Sequence, residues 1–111
     1  MNVVILNGVL SRPAEQRVLP SGDTLVAYEV TTRDEEGRAD SVPVSWSAPE
    51  GKGMFEAGEV VVVTGRVRRR FYRAGGATQS RTEVVADAVV RASDTRRVQR
   101  LVEKAVAAVA T

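Results

Sequence analysis

The chain has 111 residues, 43% of them hydrophobic and 27% charged, with a net charge of +2. That is enough for one domain with a single core, too little for two, and the composition is that of a folded protein. It contains no cysteine and no histidine, which excludes a disulfide framework, a thiolate nucleophile, a zinc site of the usual Cys/His kind and a Ser-His-Asp triad.

The carboxylates are scattered and none follows the spacing of a calcium loop. The chain is therefore read as a non-enzyme, with no metal and no cofactor expected. No apolar run approaches the roughly 18 to 20 residues that span a bilayer. The start, Met1-Asn2-Val3-Val4, has neither a basic region nor a small-residue cleavage site. No membrane partner and a cytoplasmic location are expected.

In chain order, Val3-Val4-Ile5-Leu6 is an apolar, β-branched run that ends at Asn7-Gly8. Arg17-Val18-Leu19 leads into the turn Pro20-Ser21-Gly22-Asp23. Val26, Tyr28 and Val30 then alternate with Ala27, Glu29 and Thr31, the period of a half-buried strand. After the polar loop at residues 34–38, Val42, Val44 and Trp46 alternate with Ser41, Pro43 and Ser45. A breaker-rich loop, residues 48–53, precedes Met54-Phe55-Glu56-Ala57, which is expected to form one helical turn. Residues 59–73 carry the longest strand signal, Ala74-Gly75-Gly76-Ala77 reads as a hairpin tip, and residues 82–91 form a fifth strand candidate. Tyr28 and Phe55 read as core residues. The expected fold is all-β, a small five-stranded barrel.

Near the end the period changes. Val98, Leu101, Val102, Ala105, Val106 and Val109 recur at helical spacing, with Ser93, Asp94 and Thr95 as N-cap candidates. The expected helix spans about residues 95–110, and its apolar stripe must be covered by its own barrel or by a second subunit to persist. Arg96, Arg97 and Arg100 stand near its N-terminus, where the helix dipole disfavours cations. Such placement suggests an acidic partner surface. The chain divides into residues 1–93, the barrel, and 94–111, the helix.

Charge is concentrated in one place. Residues 60–82 hold six arginines (Arg66, Arg68, Arg69, Arg70, Arg73, Arg81) and no acid, leaving the rest of the chain net acidic. Such a strip is either a phosphate-binding surface or a solvated strand face. On an extended strand Arg66, Arg68, Arg70 and Tyr72 share one face and Val67, Arg69 and Phe71 the other. The first face is a row of three guanidinium groups and one ring, about 20 Å long.

The run from Asn2 to Arg17, with its apolar stretch, Gly8-Val9-Leu10 step and Arg12-Pro13-Ala14-Glu15-Gln16-Arg17, resembles the first-strand signature of bacterial single-stranded DNA-binding proteins. Pro20-Ser21-Gly22 resembles that family's next turn and residues 26–32 its second strand. Residues 60–72, a β-run, Gly65, then arginines ending in an aromatic, resemble its fourth strand, and residues 82–87 its fifth. The resemblance covers residues 2–91 in order. It implies a five-stranded OB-fold barrel with a C-terminal α-helix, non-specific single-stranded DNA binding, and assembly as a homo-oligomer, tetramer or dimer. The candidate DNA-binding residues are Arg66, Arg68, Arg70, Tyr72, Arg73, Trp46, Arg12, Arg17 and Arg33.

Several positions depart from the family. The aromatic expected after the second strand is replaced by Thr32-Arg33-Asp34. Trp46 falls on the core face if the third strand is aligned on Val42-Pro43-Val44, and on a base-stacking platform if one residue is deleted from that strand. The acidic loop Asp34-Glu35-Glu36 is expected near the groove, where it would repel phosphate. Where replicative members continue into a long tail with an acidic end, the helical pattern is expected instead.

Two readings follow. The first is a nucleoid-associated accessory single-stranded DNA-binding protein in replication, recombination or repair, using an arginine-rich groove with limited stacking. The second is a primosomal-type OB-fold interaction protein, in which replication or repair proteins are the main partners and DNA binding is weak.

Overall fold

A computed structural model describes residues 1–110. Within them the order is β1 (Val4–Leu10), β2 (Glu15–Val18), β3 (Thr24–Arg33), β4 (Ala39–Trp46), β5 (Val60–Ala74), β6 (Ala77–Arg91) and α1 (Thr95–Val109). β1 pairs with β5 along Val4–Val9 and then crosses to β3 at Val9–Leu10, which closes the ring β1–β3–β4–β6–β5. The pairings are antiparallel except that between β4 and β6. This is the five-stranded OB barrel expected from the sequence; β2 is an additional short strand that pairs with Thr24–Ala27 of β3, the part of that edge β1 does not reach.

β1 runs through Asn7-Gly8, where a strand end is expected from the residue types. The reason is steric. A Cβ on Gly8 would lie 2.5 Å from the Thr31 carbonyl oxygen, so the asparagine–glycine pair marks a crossing of strands and not a turn. Asn2 extends the same ladder with its side chain: its Nδ2 donates to the Val67 carbonyl at 2.6 Å and its Oδ1 accepts from Val67 N–H at 2.8 Å.

The alternating pattern sends Val26, Tyr28, Val30, Val44 and Trp46 inward, where they meet Leu10, Val61, Val63 and Val89. Residues 54–57 form no helical turn. The segment is instead pinned across the base of the barrel, with Ala14 N–H donating to the Phe55 carbonyl and Glu56 N–H to Glu59 Oε2. Glu59 is held below the usual carboxylate range by the Arg91 guanidinium and by that N–H. Phe55 packs on the core, its ring centroid 6.3 Å from that of Tyr28, with the Arg91 guanidinium 5.1 Å from its ring centre.

β5 and β6 are each 15 residues long and outrun the barrel. Gly75 and Gly76 have φ of 59° and 78°, the backbone of a two-residue type I′ turn. Their ladder shifts register between Thr64 and Gly65, leaving Asp87 unopposed as a β-bulge. A Cβ on Gly65 would come within 2.1 Å of the Val85 carbonyl oxygen, so only glycine permits the strands to pass there.

α1 begins at Asp94, whose side chain accepts from Arg97 N–H. It packs across β5 and β6, over the outward pair Val62 and Val90. Its stripe is covered unevenly: Val98, Leu101, Val102 and Ala105 are half-buried, whereas Val106 and Val109 are each 56% exposed. No described helix is long and apolar enough to cross a membrane.

Tyr28 is 4% exposed and donates its hydroxyl proton to the Gly53 carbonyl at 2.8 Å. Burial pushes its ionisation well above the ordinary value of 10.0. Below about pH 10 the phenol is neutral in both states; above it the unfolded chain loses the proton first, so stability falls as pH rises. Urea melts between about pH 8 and pH 11 should show this alkaline loss. Tyr28→Phe should remove that component while costing about 1 kcal/mol at neutral pH, the usual worth of one hydrogen bond.

Candidate nucleic-acid interface

The sequence strip does not stay together. The ladder from Arg66 to Arg70 is regular, but paired strands twist along their length. Arg66 turns toward α1, lining a depression with Thr64, Leu101 and Lys104. Arg70 lines a different groove, of about 250 Å³. The expected straight row from Arg66 to Tyr72 is therefore broken at its first member.

The groove lies against the outward residues of β3 and β4, Leu25, Ala27, Glu29 and Ser45. One wall is the segment entering β2, which contributes Arg12, Glu15 and Arg17. The other is the β5–β6 ribbon, with Arg70, Arg81 and Glu83. Four arginines thus converge from chain positions up to 69 apart, with three glutamates among them. Arg17 lies 3.6 Å from Glu15, a pair more than half exposed on both sides, so it is screened and weak. Arg68 faces the same side and reaches Glu83 at 2.8 Å, with Arg70 at 3.2 Å from the same oxygen.

Tyr72 lies on the face of Arg68 and Arg70, opposite Gln79, and is 50% exposed. Phe71 occupies the opposite face of the ribbon, 66% exposed, with the Arg69 guanidinium 5.3 Å from its ring centre. Arg73 shares the Phe71 face and donates to the Gly76 carbonyl at 3.0 Å, which ties it to the turn. Arg33 is occupied at the end of β3, donating to the Gly37 carbonyl at 2.8 Å. The acidic loop beside it is folded on itself, Asp34 Oδ1 accepting from the N–H groups of Glu36 and Arg38. None of these loop residues lines the groove.

Trp46 belongs to the core. It is 7% exposed, and its indole N–H donates to the Asp87 carbonyl at 3.2 Å. The bulge frees that carbonyl from the β5 ladder, and the indole satisfies it. Strand β4 keeps an unbroken alternation opposite β3, Trp46 facing Val26 and Val44 facing Tyr28, so no deletion turns the ring outward. Trp46 leaves the set of stacking candidates for this reason.

Arg81 and Glu83 complete the groove but were not among the candidates drawn from the sequence. Arg81 is visible there as one of the six arginines. Its position opposite Arg70 follows only from the hairpin register, which the Gly75-Gly76 turn sets. Among the described residues no group of three acids or other ligands could hold a metal ion.

No protein-family profile and no curated protein sequence matches the chain. Among solved structures it is similar to the Plasmodium falciparum SSB in complex with ssDNA, with a TM-score of 0.67 over 82% of this chain and 94% of that one. At 17% sequence identity the likeness is one of fold.

The position of Trp46 is open to a direct check. Trp46→Ala should destabilise the protein by about 3–5 kcal/mol in a denaturant melt, the cost of removing a buried aromatic. The emission of the intact protein should hardly change when oligo-dT is added; strong quenching would put the ring on the binding surface.

Proposed function

We propose that the chain is a single-stranded DNA-binding module in which residues 1–93 hold the strand and residues 94–111 add a stabilising helix. The observation that carries this reading is the groove over β3 and β4, walled by two hairpin segments that bring in Arg12, Arg17, Arg70 and Arg81. That face, flanked by those loops, is where OB folds take oligonucleotides. Single-stranded DNA binders combine cations that track the backbone with rings that stack bases. Tyr72, half-exposed beyond Arg70 on the same face, is such a ring. The fold likeness to an SSB solved with ssDNA supports the same reading. Binding is independent of sequence, since the groove offers charge, with the Tyr72 ring beyond it, features that every nucleotide can use. The role is accessory, in replication, recombination or repair, with the protein nucleoid-associated in the cytoplasm.

The chain acts as a homo-oligomer, dimer or tetramer. Support comes from apolar side chains left open on the outer face: Ile5 and Val9 on β1, Val60 on β5, and Val106 and Val109 on α1, each more than 40% exposed.

One observation favours the second reading, a primosomal-type interaction protein. The groove carries Glu15, Glu29 and Glu83 among its arginines, and these reduce the field that would attract phosphate.

Anisotropy titrations of labelled oligo-dT at several salt concentrations, with light scattering for mass, separate the two. The expected outcome is an oligomer whose affinity falls steeply with salt. Arg70→Ala combined with Arg81→Ala should shallow the slope of log K against log salt by about 1.4, at roughly 0.7 released ions per contact on a single strand. No binding at low salt would shift the assignment to the interaction protein.

Tyr72→Ala should cost on the order of 1–3 kcal/mol of binding, and Tyr72→Phe much less, because the phenylalanine keeps the stacking face. Equal affinities for alanine and wild type would reduce the ring to a strand-end cap.

A further inference from the structure

Glu83 is the one carboxylate among the described residues that is buried, 5% exposed overall. It lies on the wall of the groove. Burying an ionised carboxylate is unfavourable unless it is paired. Both of its partners come from the arginine strip: Arg68 Nη2 donates to Oε1 at 2.8 Å, and Arg70 Nε is 3.2 Å from that same oxygen. The arginine side chains remain 41% and 53% exposed, so the carboxylate lies beneath and the guanidinium groups above it face water.

The register makes this arrangement compulsory. Glu83 stands directly opposite Arg68 and Arg81 directly opposite Arg70. Arg70 and Arg81 would place like charges side by side on one face of the ribbon, which is unfavourable. A carboxylate two pairs along, the next on that face, draws Arg70 away from Arg81 and toward Arg68. Each guanidinium has five N–H donors. One contact to Glu83 fixes its plane and leaves an edge for another acceptor.

We infer that Glu83 is a positioning residue that holds Arg68 and Arg70 side by side on the groove wall while cancelling one of their two charges, so that the pair meets a phosphodiester as a single cation. This rests on the DNA-binding reading given above. It sharpens that reading by setting the strength of binding. The sequence strip has the charge of a strong phosphate binder, and the fold discounts it by threading an acid between two of its arginines.

The experiment is the salt dependence of oligo-dT anisotropy for the full chain and three variants. Glu83→Gln keeps the side-chain shape and an accepting oxygen but removes the charge. It should steepen the slope by about 0.7, one additional cation on a single strand, and tighten binding about fivefold at 0.1 M salt. Glu83→Met, unbranched and suited to a buried site, should steepen the slope equally, and it carries the test if the glutamine variant does not fold. Glu83→Asp keeps the charge with a shorter reach and should retain the wild-type slope. A wild-type slope in both neutral variants overturns the inference alone, as does a slope for Glu83→Asp as steep as theirs. Absence of oligo-dT binding at low salt in every form, wild type included, overturns the DNA-binding reading and this inference with it.

Discussion

Closure of the barrel at β1 is the constraint on which the rest of the molecule depends. An open five-stranded sheet has two edges with unsatisfied backbone groups, and a closed one has none. Here β1 serves both edges, pairing with β5 over most of its length and with β3 at Val9 and Leu10. The crossing leaves no room beside Gly8 for a side chain. It buries Leu10 and Val30 almost completely as a facing pair. With the ring shut, the inward side chains of β3, β4, β5 and β6 share one core, and the outward face of β3 and β4 becomes a surface of fixed curvature.

The β5–β6 ribbon then extends where the core has ended. Beyond Gly65 the residues of β5 are exposed one after another, so this arm is held by its own ladder, its glycine turn and contacts such as Arg69 to Ser80. Side chains freed from packing are free to carry charge, and the arginines lie there for that reason. The same exposure makes their arrangement dependent on neighbours, which gives the single buried acid on the ribbon, Glu83, influence over two of them. The bulge at Asp87 links the arm to the interior: it redirects β6 and supplies the carbonyl that anchors Trp46.

α1 answers a different need. Val62 and Val90 point out of the barrel as a cross-strand pair, yet they are 5% and 1% exposed. An isolated helix of this length is marginal in water, so helix and sheet face stabilise one another. The N-terminal two turns of the stripe meet this surface, while Val106 and Val109 extend past it.

Elements whose signal is local were legible in the sequence. Period-2 alternation placed β3 and β4 and assigned Tyr28 to the core; the Gly75-Gly76 pair located the ribbon turn; 3.6-residue periodicity placed α1 within a residue of its observed end. These depend on side-chain direction along one segment, which the residue order alone determines. The candidate site did not have that property. Arg66 and Arg70 lie on one face of an ideal strand but line different depressions, and Arg12 and Arg81 line one groove although they are far apart in the chain. Asn7-Gly8 carries the composition of a turn, and only the Thr31 carbonyl pressed against it explains why it is a crossing. Trp46 was undecided until the β3–β4 register was known. The residue order thus determined the barrel, its strands and the charge available to it. Which of those charges face one another, and which are cancelled, was decided by register, twist and closure, because each of these is a relation between segments and is encoded in no single one.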